Sequence, residues 1–170
     1  MTDHLEHSLY VSTLKDLYSA ENQLLRILPK MAKVASAPPL RQALTEQMHQ
    51  AQVHLHRIDN IFAKLGVGPK GGEFLALQEL IVEARHVMGQ SVSAIEADAD
   101  LIGLIQRIQH LAAAGYAPAQ GLARKLGYSA AAESLELSLN EKTDANSLLA
   151  ALITPAARAE GQPISTTALG

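Results

Sequence analysis

The sequence predicts an all-α fold, a four-helix bundle with one crossover connection that carries a short extra helix. Apolar residues recur at alternating three- and four-residue steps in four long segments, as on the buried faces of packed helices. These segments are rich in Ala, Leu, Gln, Glu and Lys, which favour helices. Runs of β-branched residues are few and the sequence has no Asn-Gly hairpin turn. A longer connection between the second and third segments predicts the crossover.

The first helix is predicted to begin with Asp3 as its N-cap, because Glu6 three residues later completes a capping box. Pro29 removes one backbone donor, so the helix is expected to kink or to end its straight part near Leu28. Its predicted core face consists of Tyr10, Leu14, Leu17, Glu21, Leu24, Leu28 and Met31.

The second helix is predicted to begin around Leu40, after two prolines, and to end at Gly66 as a C-cap. A turn over residues 66–72 and a shorter helix from Phe74 to Met88 then lead into the crossover. The predicted core face of the second helix is a heptad pattern of Leu44, Met48, Ala51, Leu55, Ile58, Phe62 and Leu65.

The third long helix is expected to run from Asp98 to Gly127 and to pack against several neighbours, because it is apolar on most sides. Ser129 is the predicted cap of the last helix, which is expected to end before Pro155. Its apolar positions are Leu135, Leu139, Leu148, Leu149 and Leu152. The bundle is therefore assigned to residues 1–153, and residues 154–170, without a periodic stripe, are expected to form a disordered tail.

Composition excludes several classes of function. A net charge of −3, a pI near 6.1 and an aromatic content of 4% without Trp argue against a nucleic-acid partner. The absence of Cys excludes disulfides, thiolate metal sites and cysteine nucleophiles, so any metal would need His, carboxylate or amide ligands. The N-terminus has no secretion-signal pattern, and no apolar stretch reaches the ~18 residues of a membrane span, so a cytoplasmic protein without a membrane partner is expected.

Glu21 is the most informative single residue, because it lies between Leu17 and Leu24 on an otherwise apolar face. An isolated buried carboxylate costs several kcal/mol, so a cation, a hydrogen-bonding neighbour or a metal ion should compensate it. The alternative is a side chain that leaves the face to reach solvent or an Arg.

Each of the other long helices adds polar candidates to the core. Gln50 and His54 stand four residues apart on the second helix, and imidazole suits several transition metals. The third helix supplies Gln109 and His110, and the fourth supplies Glu141 with Asp144 three residues later. These side chains could hold a metal ion, or they could hydrogen-bond around Glu21 without one, or lie on solvated faces.

Several strings place the chain near a known family. Tyr18-Ser-Ala-Glu21, Gln106-Arg-Ile-Gln-His110 and Leu126-Gly-Tyr128, in order and spacing, resemble the YciE/YciF-type ferritin-like family, and the resemblance extends through Ile153. It implies a homodimeric bundle linked to bacterial stress responses, with a biochemical activity that is not settled. It also implies a ferritin-like core in which carboxylates from all four helices hold two metal ions.

This chain departs from the family pattern at the implied ligands. Gln50 stands where the family has Glu, Gln109-His-Leu-Ala112 replaces Glu-His-Tyr-Glu, and Asn146 replaces Asp. Pro118 is also atypical. Two divalent ions in a dry core need roughly four negative charges, and the retained acids are Glu21, Glu141 and Asp144. A full diiron centre is therefore not expected.

Two states of the core stay open: a single Fe, Mn or Zn ion held by Glu21, His54 and Glu141, and a metal-free core, which is favoured. The leading hypothesis is a non-catalytic stress protein with a degenerate di-metal site that works as a homodimer through helix packing. The alternatives are a metal-dependent oxidoreductase acting on peroxide or oxygen, and metal storage or DNA protection. In a metal-free core, Glu21→Gln is predicted to be neutral or stabilising.

Overall fold

The structure, a computed structural model, describes residues 2–90 and 93–160. Within these residues it contains six helices and no strand, so the predicted all-α class is confirmed. The bundle consists of α1, α2, α6 and the consecutive pair α4 and α5, and α3 is the extra helix of the crossover. The helices are α1 (Thr2–Val34), α2 (Pro38–Leu65), α3 (Leu75–Met88), α4 (Ala94–Ala113), α5 (Tyr116–Lys125) and α6 (Ser129–Glu160).

The predicted core face of α1 is confirmed, since all seven of its residues are buried. Its predicted start is wrong: the helix already begins at Thr2, so Asp3 lies in the first turn instead of capping it. Glu6 pairs with Lys125 of α5 and not with the backbone of Asp3. The helix also continues past Pro29 to Val34, because one lost backbone hydrogen bond does not end a helix that is packed on both sides of it.

The start of α2 is capped from a distant helix. Pro38 lies in its first turn and Gly66, with φ 66°, ends it as predicted. The N-cap residue, Ala37, has no side chain that could accept a hydrogen bond. Instead, both carboxylate oxygens of Asp98 in α4 accept 2.7 Å hydrogen bonds from the backbone N–H groups of Ser36 and Ala37. This contact joins the first turns of α4 to the α1–α2 turn.

The core face of α2 is rotated from the predicted one. Met48 and Leu55 are only half-buried, whereas Gln47 and His54 are buried. Polar residues can occupy these positions because partners on other helices bond them: Gln47 accepts from Gln109, and His54 contacts Glu141.

The sequence predicts a continuous third long helix, but the structure divides it into two helices. It begins at Ala94, where Ser93 and Glu96 form a capping box, and it divides into α4 and α5 at Gly115. A Cβ atom at Gly115 would lie 2.9 Å from Leu17 Cδ2, so α1 approaches the break closely. Pro118 follows in the first turn of α5, where a missing N–H is tolerated.

The last helix begins at Ser129, which is its first residue and not its cap, since Ala132 N–H bonds the Tyr128 carbonyl. The predicted end before Pro155 is wrong, because the helical backbone continues to Glu160. As at Pro29, a proline removes one hydrogen bond without ending the helix. Residues 161–170, the remainder of the predicted tail, lie outside the described residues.

The bundle core has two apolar halves. One surrounds Leu24, Leu44 and Ile105, and the other surrounds Leu14, Ile58 and Leu135. Between the halves each of α1, α2, α4 and α6 contributes at least one buried polar side chain. We call four of these side chains the polar layer: Glu21, His54, Gln109 and Lys142.

Candidate functional site

The polar layer is centred on an ion pair between Glu21 and Lys142. Lys142 Nζ lies 2.8 Å from Glu21 Oε1, and the two side chains are 3% and 0% exposed. Neither charge can be solvated by bulk water, so each depends on the other for compensation. Of the compensating groups that the sequence left open for Glu21, the structure shows a cation, and this cation is a side chain of the same protein.

The Lys142 ammonium is surrounded by acceptors. Besides Glu21, it donates to Gln109 Oε1 at 3.2 Å, and it lies 5.8 Å from the ring centre of Tyr116. Gln109 in turn donates to Gln47 Oε1 at 2.8 Å. A carboxylate oxygen, an amide oxygen and an aromatic face thus surround one ammonium, so protein groups compensate its charge.

Tyr116 completes the surroundings of the carboxylate. Its hydroxyl donates to Glu21 Oε1 at 2.6 Å. Burial, followed by the charge of Glu21, raises the pKa of Tyr116 well above its usual value, so the phenol stays protonated and keeps its donor role.

The pKa of Glu21 reflects competing effects. Burial alone would raise it, but the charge of Lys142 and the contacts with His54 outweigh burial and lower the pKa to about 2. The carboxylate is thus ionised at neutral pH inside the core. It has one oxygen to spare, since Oε2 has no hydrogen-bond partner among the described residues.

His54 connects the buried pair to a second ion pair near the surface. Its Nδ1 lies 3.5 Å from Glu21 Oε1, and its Nε2 donates to Glu141 Oε2 at 2.8 Å. Arg57 binds both oxygens of Glu141, at 2.6 and 3.0 Å, and also donates to Ser138 Oγ. The hydrogen bonds from Arg57 lower the pKa of Glu141 despite an opposing contribution from burial.

The structure brings together four of the predicted site residues: Glu21, His54, Gln109 and Glu141. The other three lie apart from the polar layer. Gln50 is half-buried, and Asp144 and His110 are exposed. His110 Nε2 lies 2.7 Å from Asn146 Nδ2, so it is occupied at the surface of the bundle.

Sequence reasoning missed Lys142, together with Gln47, Arg57 and Tyr116 as partners of the site. The missed signal was present in α6, where Leu135, Ser138, Lys142, Ala145 and Leu149 follow the same three- and four-residue steps as the other core faces. Leu139 and Leu148 suggested a different face, but Leu139 is half-buried and Leu148 is 67% exposed. Lys142 was therefore not among the predicted site residues.

The donor set does not fit a pair of metal ions. The Lys142 ammonium occupies the contact that a metal would make with Glu21 Oε1, and Arg57 occupies both oxygens of Glu141. The described residues include no group of three or more His, Asp and Glu arranged to hold a metal ion. The buried ligand atoms left over in the polar layer are Glu21 Oε2 and His54 Nδ1, which are too few for two divalent cations.

The helix order and the polar layer between two apolar halves define a ferritin-like four-helix bundle. Residues 6–161 match the family described as a domain of unknown function, DUF892. The chain is also 33% identical to protein YciF of Escherichia coli strain K12 over 135 residues, which cover 79% of this chain and 81% of that protein. The chain belongs to the DUF892 family.

Solved structures agree with this assignment. The crystal structure of the E. coli stress protein YciF matches with a TM-score of 0.85 at 30% identity, over 90% of this chain and 97% of that one. YcfI from Rhodopseudomonas palustris, to which a structural role has been attributed, matches with a TM-score of 0.80 at 33% identity, over 85% and 92%. In the described part of the chain, none of the helices has the length and apolar character needed to cross a membrane.

Proposed function

We propose that this protein is a non-catalytic, structural member of the stress-protein family, in which a lysine ammonium replaces metal ions as the cation of the bundle core. The single observation that carries the proposal is the 2.8 Å contact between Lys142 Nζ and Glu21 Oε1 in the polar layer. Two relatives support the proposal, since one is described as a stress protein and the other has an attributed structural role.

Charge balance supports a core that needs no metal. Glu21 and Glu141 carry two negative charges, and Lys142 and Arg57 carry two positive ones, so these four groups sum to zero. A divalent ion entering this cluster would add charge without a free acid to offset it. The ion would also have to displace a hydrogen-bonded ammonium.

Accessibility supports a structural role. Glu21, His54 and Lys142 are at most 3% exposed and contact one another through their polar atoms, so these atoms are engaged within the core and are not directed to a substrate in solution. The oxidoreductase alternative would need peroxide or oxygen to reach a metal bound at these atoms. We therefore assign the polar layer to stability and to helix register, which is an attested use of buried polar groups.

The homodimer and the cytoplasmic location belong to the same proposal. Four apolar side chains on the outer surfaces of α1 and α6 are more than 45% exposed and could support helix packing between copies: Leu5, Leu9, Leu137 and Leu148. Light scattering after size exclusion tests this part, with a mass near twice 18.1 kDa as the expected result.

Metal content of the purified protein tests the core. The untagged chain is expressed with Fe, Mn and Zn supplied, and metal per chain and melting temperature are measured with and without EDTA. We expect substoichiometric metal and an unchanged melting temperature. Two equivalents per chain would establish the diiron alternative, and one equivalent that is lost in Glu21→Gln would establish a single-ion site; either result overturns the proposal.

A gel shift with DNA at low salt would support the DNA-protection alternative instead.

A further inference from the structure

A cavity of about 530 Å³ opens where the C-terminal part of α2 meets the start of α6. Its volume is within the range of small-molecule sites. Its walls include the apolar side chains of Ile61 and Leu65 and the ring of Tyr128. The cavity is separate from the polar layer, although Arg57 lines it and also binds Glu141. Neither the family assignment nor the proposed structural role gives this cavity a purpose.

The charges around the cavity have one sign. Lys64 and Arg57 line it, and none of its described lining residues is Asp or Glu. The guanidinium of Arg57 is held by Glu141 and Ser138. Lys64 is exposed and forms no ion pair within the described parts of the chain, so it is the cation most available to a ligand.

The first turn of α6 adds donors to the same cavity. Ser129, Ala130 and Ala131 line it. The N–H groups of a first helical turn have no carbonyl partner within the helix, and the helix dipole places partial positive charge there. A carboxylate or phosphate oxygen at this point would accept those hydrogen bonds.

A buried hydroxyl without a partner provides an independent sign of a ligand. The side chain of Tyr10 is 0% exposed and lines the cavity, and its hydroxyl has no hydrogen-bond partner among the described residues. Leaving a buried donor unpaired is costly, so a group that accepts from it would be stabilised. Burial, with a smaller contribution from Tyr128, raises the pKa of Tyr10 to about 12, so the hydroxyl keeps its proton.

We propose that this cavity binds a small organic carboxylate with an apolar body. The carboxylate accepts hydrogen bonds from the first turn of α6 and from Tyr10, with Lys64 as its counter-charge, and the apolar body packs against Ile61 and Leu65. One available cation matches a monoanion better than a phosphate dianion. The mostly apolar walls would leave a bare inorganic anion without contacts on one side.

The test compares three probes by 15N NMR titration of the full chain: 4-phenylbutyrate, its uncharged amide, and inorganic phosphate. We expect the carboxylate to bind roughly tenfold more tightly than either of the others. The uncharged amide loses a charge-assisted hydrogen bond, and inorganic phosphate loses the apolar contact. The largest shifts should fall on the amides of residues 127–131. Equal affinity of acid and amide, a preference for phosphate, or shifts that map elsewhere would each overturn the proposal.

Variants separate this site from the bundle core. Lys64→Met should weaken phenylbutyrate binding roughly threefold to fivefold, as for a partly solvated charge, and Tyr10→Phe roughly tenfold. The matched control is Lys33→Met, which alters an exposed lysine near the C-terminal end of α1 and should leave the affinity for phenylbutyrate unchanged. An equal effect of Lys33→Met and Lys64→Met would refute specific recognition. None of these results depends on the metal content of the core, so the two proposals fail independently.

Discussion

Lys142 Nζ and Glu21 Oε1 are 2.8 Å apart in the interior of the bundle, where neither side chain is more than 3% exposed. In ferritin-like proteins the space between facing helices is where metal ions are held. Here α6 delivers a lysine to that space and α1 delivers the acid that it neutralises. The stability of the fold should therefore depend on the two residues as a pair.

Lys142→Met is expected to lower the free energy of unfolding by about 3–5 kcal/mol, because it leaves the Glu21 carboxylate buried without its counter-ion. Methionine keeps most of the side-chain volume, so the loss reports mainly on charge. Urea unfolding followed by circular dichroism measures it.

The double variant Glu21→Gln/Lys142→Met is the control for this prediction. It removes both charges, so its free energy of unfolding should return to within about 1–2 kcal/mol of the parent or exceed it. If the two substitutions are simply additive, the pair is not coupled and the ion-pair interpretation is wrong.

Glu21→Gln alone is expected to destabilise the protein by about 3 kcal/mol, since it strands the Lys142 ammonium in the core. The sequence by itself predicted a neutral or stabilising change, and the presence of Lys142 reverses the sign. Thermal and urea unfolding should be compared with Glu46→Gln, which alters an exposed acid of α2. A variant at position 21 that unfolds with the same midpoint as the control would show that Lys142 does not need Glu21.

Tyr116→Phe should cost about 1.5–3 kcal/mol, because the hydroxyl donates a 2.6 Å hydrogen bond to an ionised carboxylate. The ring stays, so packing and the contact with Lys142 are kept. Tyr18→Phe, at a half-buried tyrosine of α1, serves as the matched control and should change stability by less than about 1 kcal/mol. Equal losses in the two variants would mean that the bond to Glu21 contributes nothing specific.

Acid should unfold the protein through Glu21. Its pKa is about 2 in the folded state against 4.5 in the unfolded chain, so its stabilising contribution is complete above about pH 4.5 and is lost as the pH falls towards 2. Up to one proton is taken up on unfolding in this window, which corresponds to a slope of about 1.4 kcal/mol per pH unit.

The measurement is the free energy of unfolding at closely spaced pH values, for the parent and for the Glu21→Gln/Lys142→Met variant. The variant should have a shallower slope in the acid window, although Glu141, whose pKa is also lowered, will leave some dependence in both. Parallel curves for the two proteins would contradict the assigned pKa of Glu21.

The sequence predicts the parts of the site that contrast with their surroundings. Glu21 stands out because every neighbour on its face is apolar or aromatic, and the need for a compensating group follows from the cost of burying it. Gln109 lies four residues after Ile105 and three before Ala112, both of them apolar and buried, so the pattern within α4 alone places it on the buried face. These inferences require only one helix at a time.

Other features of the site and the fold depend on contacts between helices, so the sequence of one helix does not predict them. Lys142 lies on a face that also carries Ser138 and Ala145, so apolar periodicity within α6 was too weak to fix the orientation of the helix. Gln47 is buried because Gln109 of a different helix donates to it. The break at Gly115 has local signals, the glycine itself and Pro118 three residues later, but the close approach of Leu17 from α1 cannot be inferred from this segment alone.

Asp98→Ala tests the contact that joins α4 to the α1–α2 turn. The variant removes two 2.7 Å hydrogen bonds that Asp98 accepts from the N–H groups of Ser36 and Ala37, at the start of a helix whose own N-cap is an alanine. We expect a loss of about 2–4 kcal/mol, more than for an ordinary N-cap, because Asp98 accepts two backbone hydrogen bonds where a capping side chain usually accepts one.

Asp98→Asn retains one acceptor oxygen and should recover part of this loss, whereas Asp100→Ala removes an exposed acid two residues away and should cost less than about 1 kcal/mol. Hydrogen exchange of the amides of residues 36–40 provides a local readout. They should exchange faster in Asp98→Ala than in Asp100→Ala, because the first turn of α2 would lose its remote cap. If exchange there is unchanged while global stability falls, Asp98 acts through packing of α4 and not by capping α2.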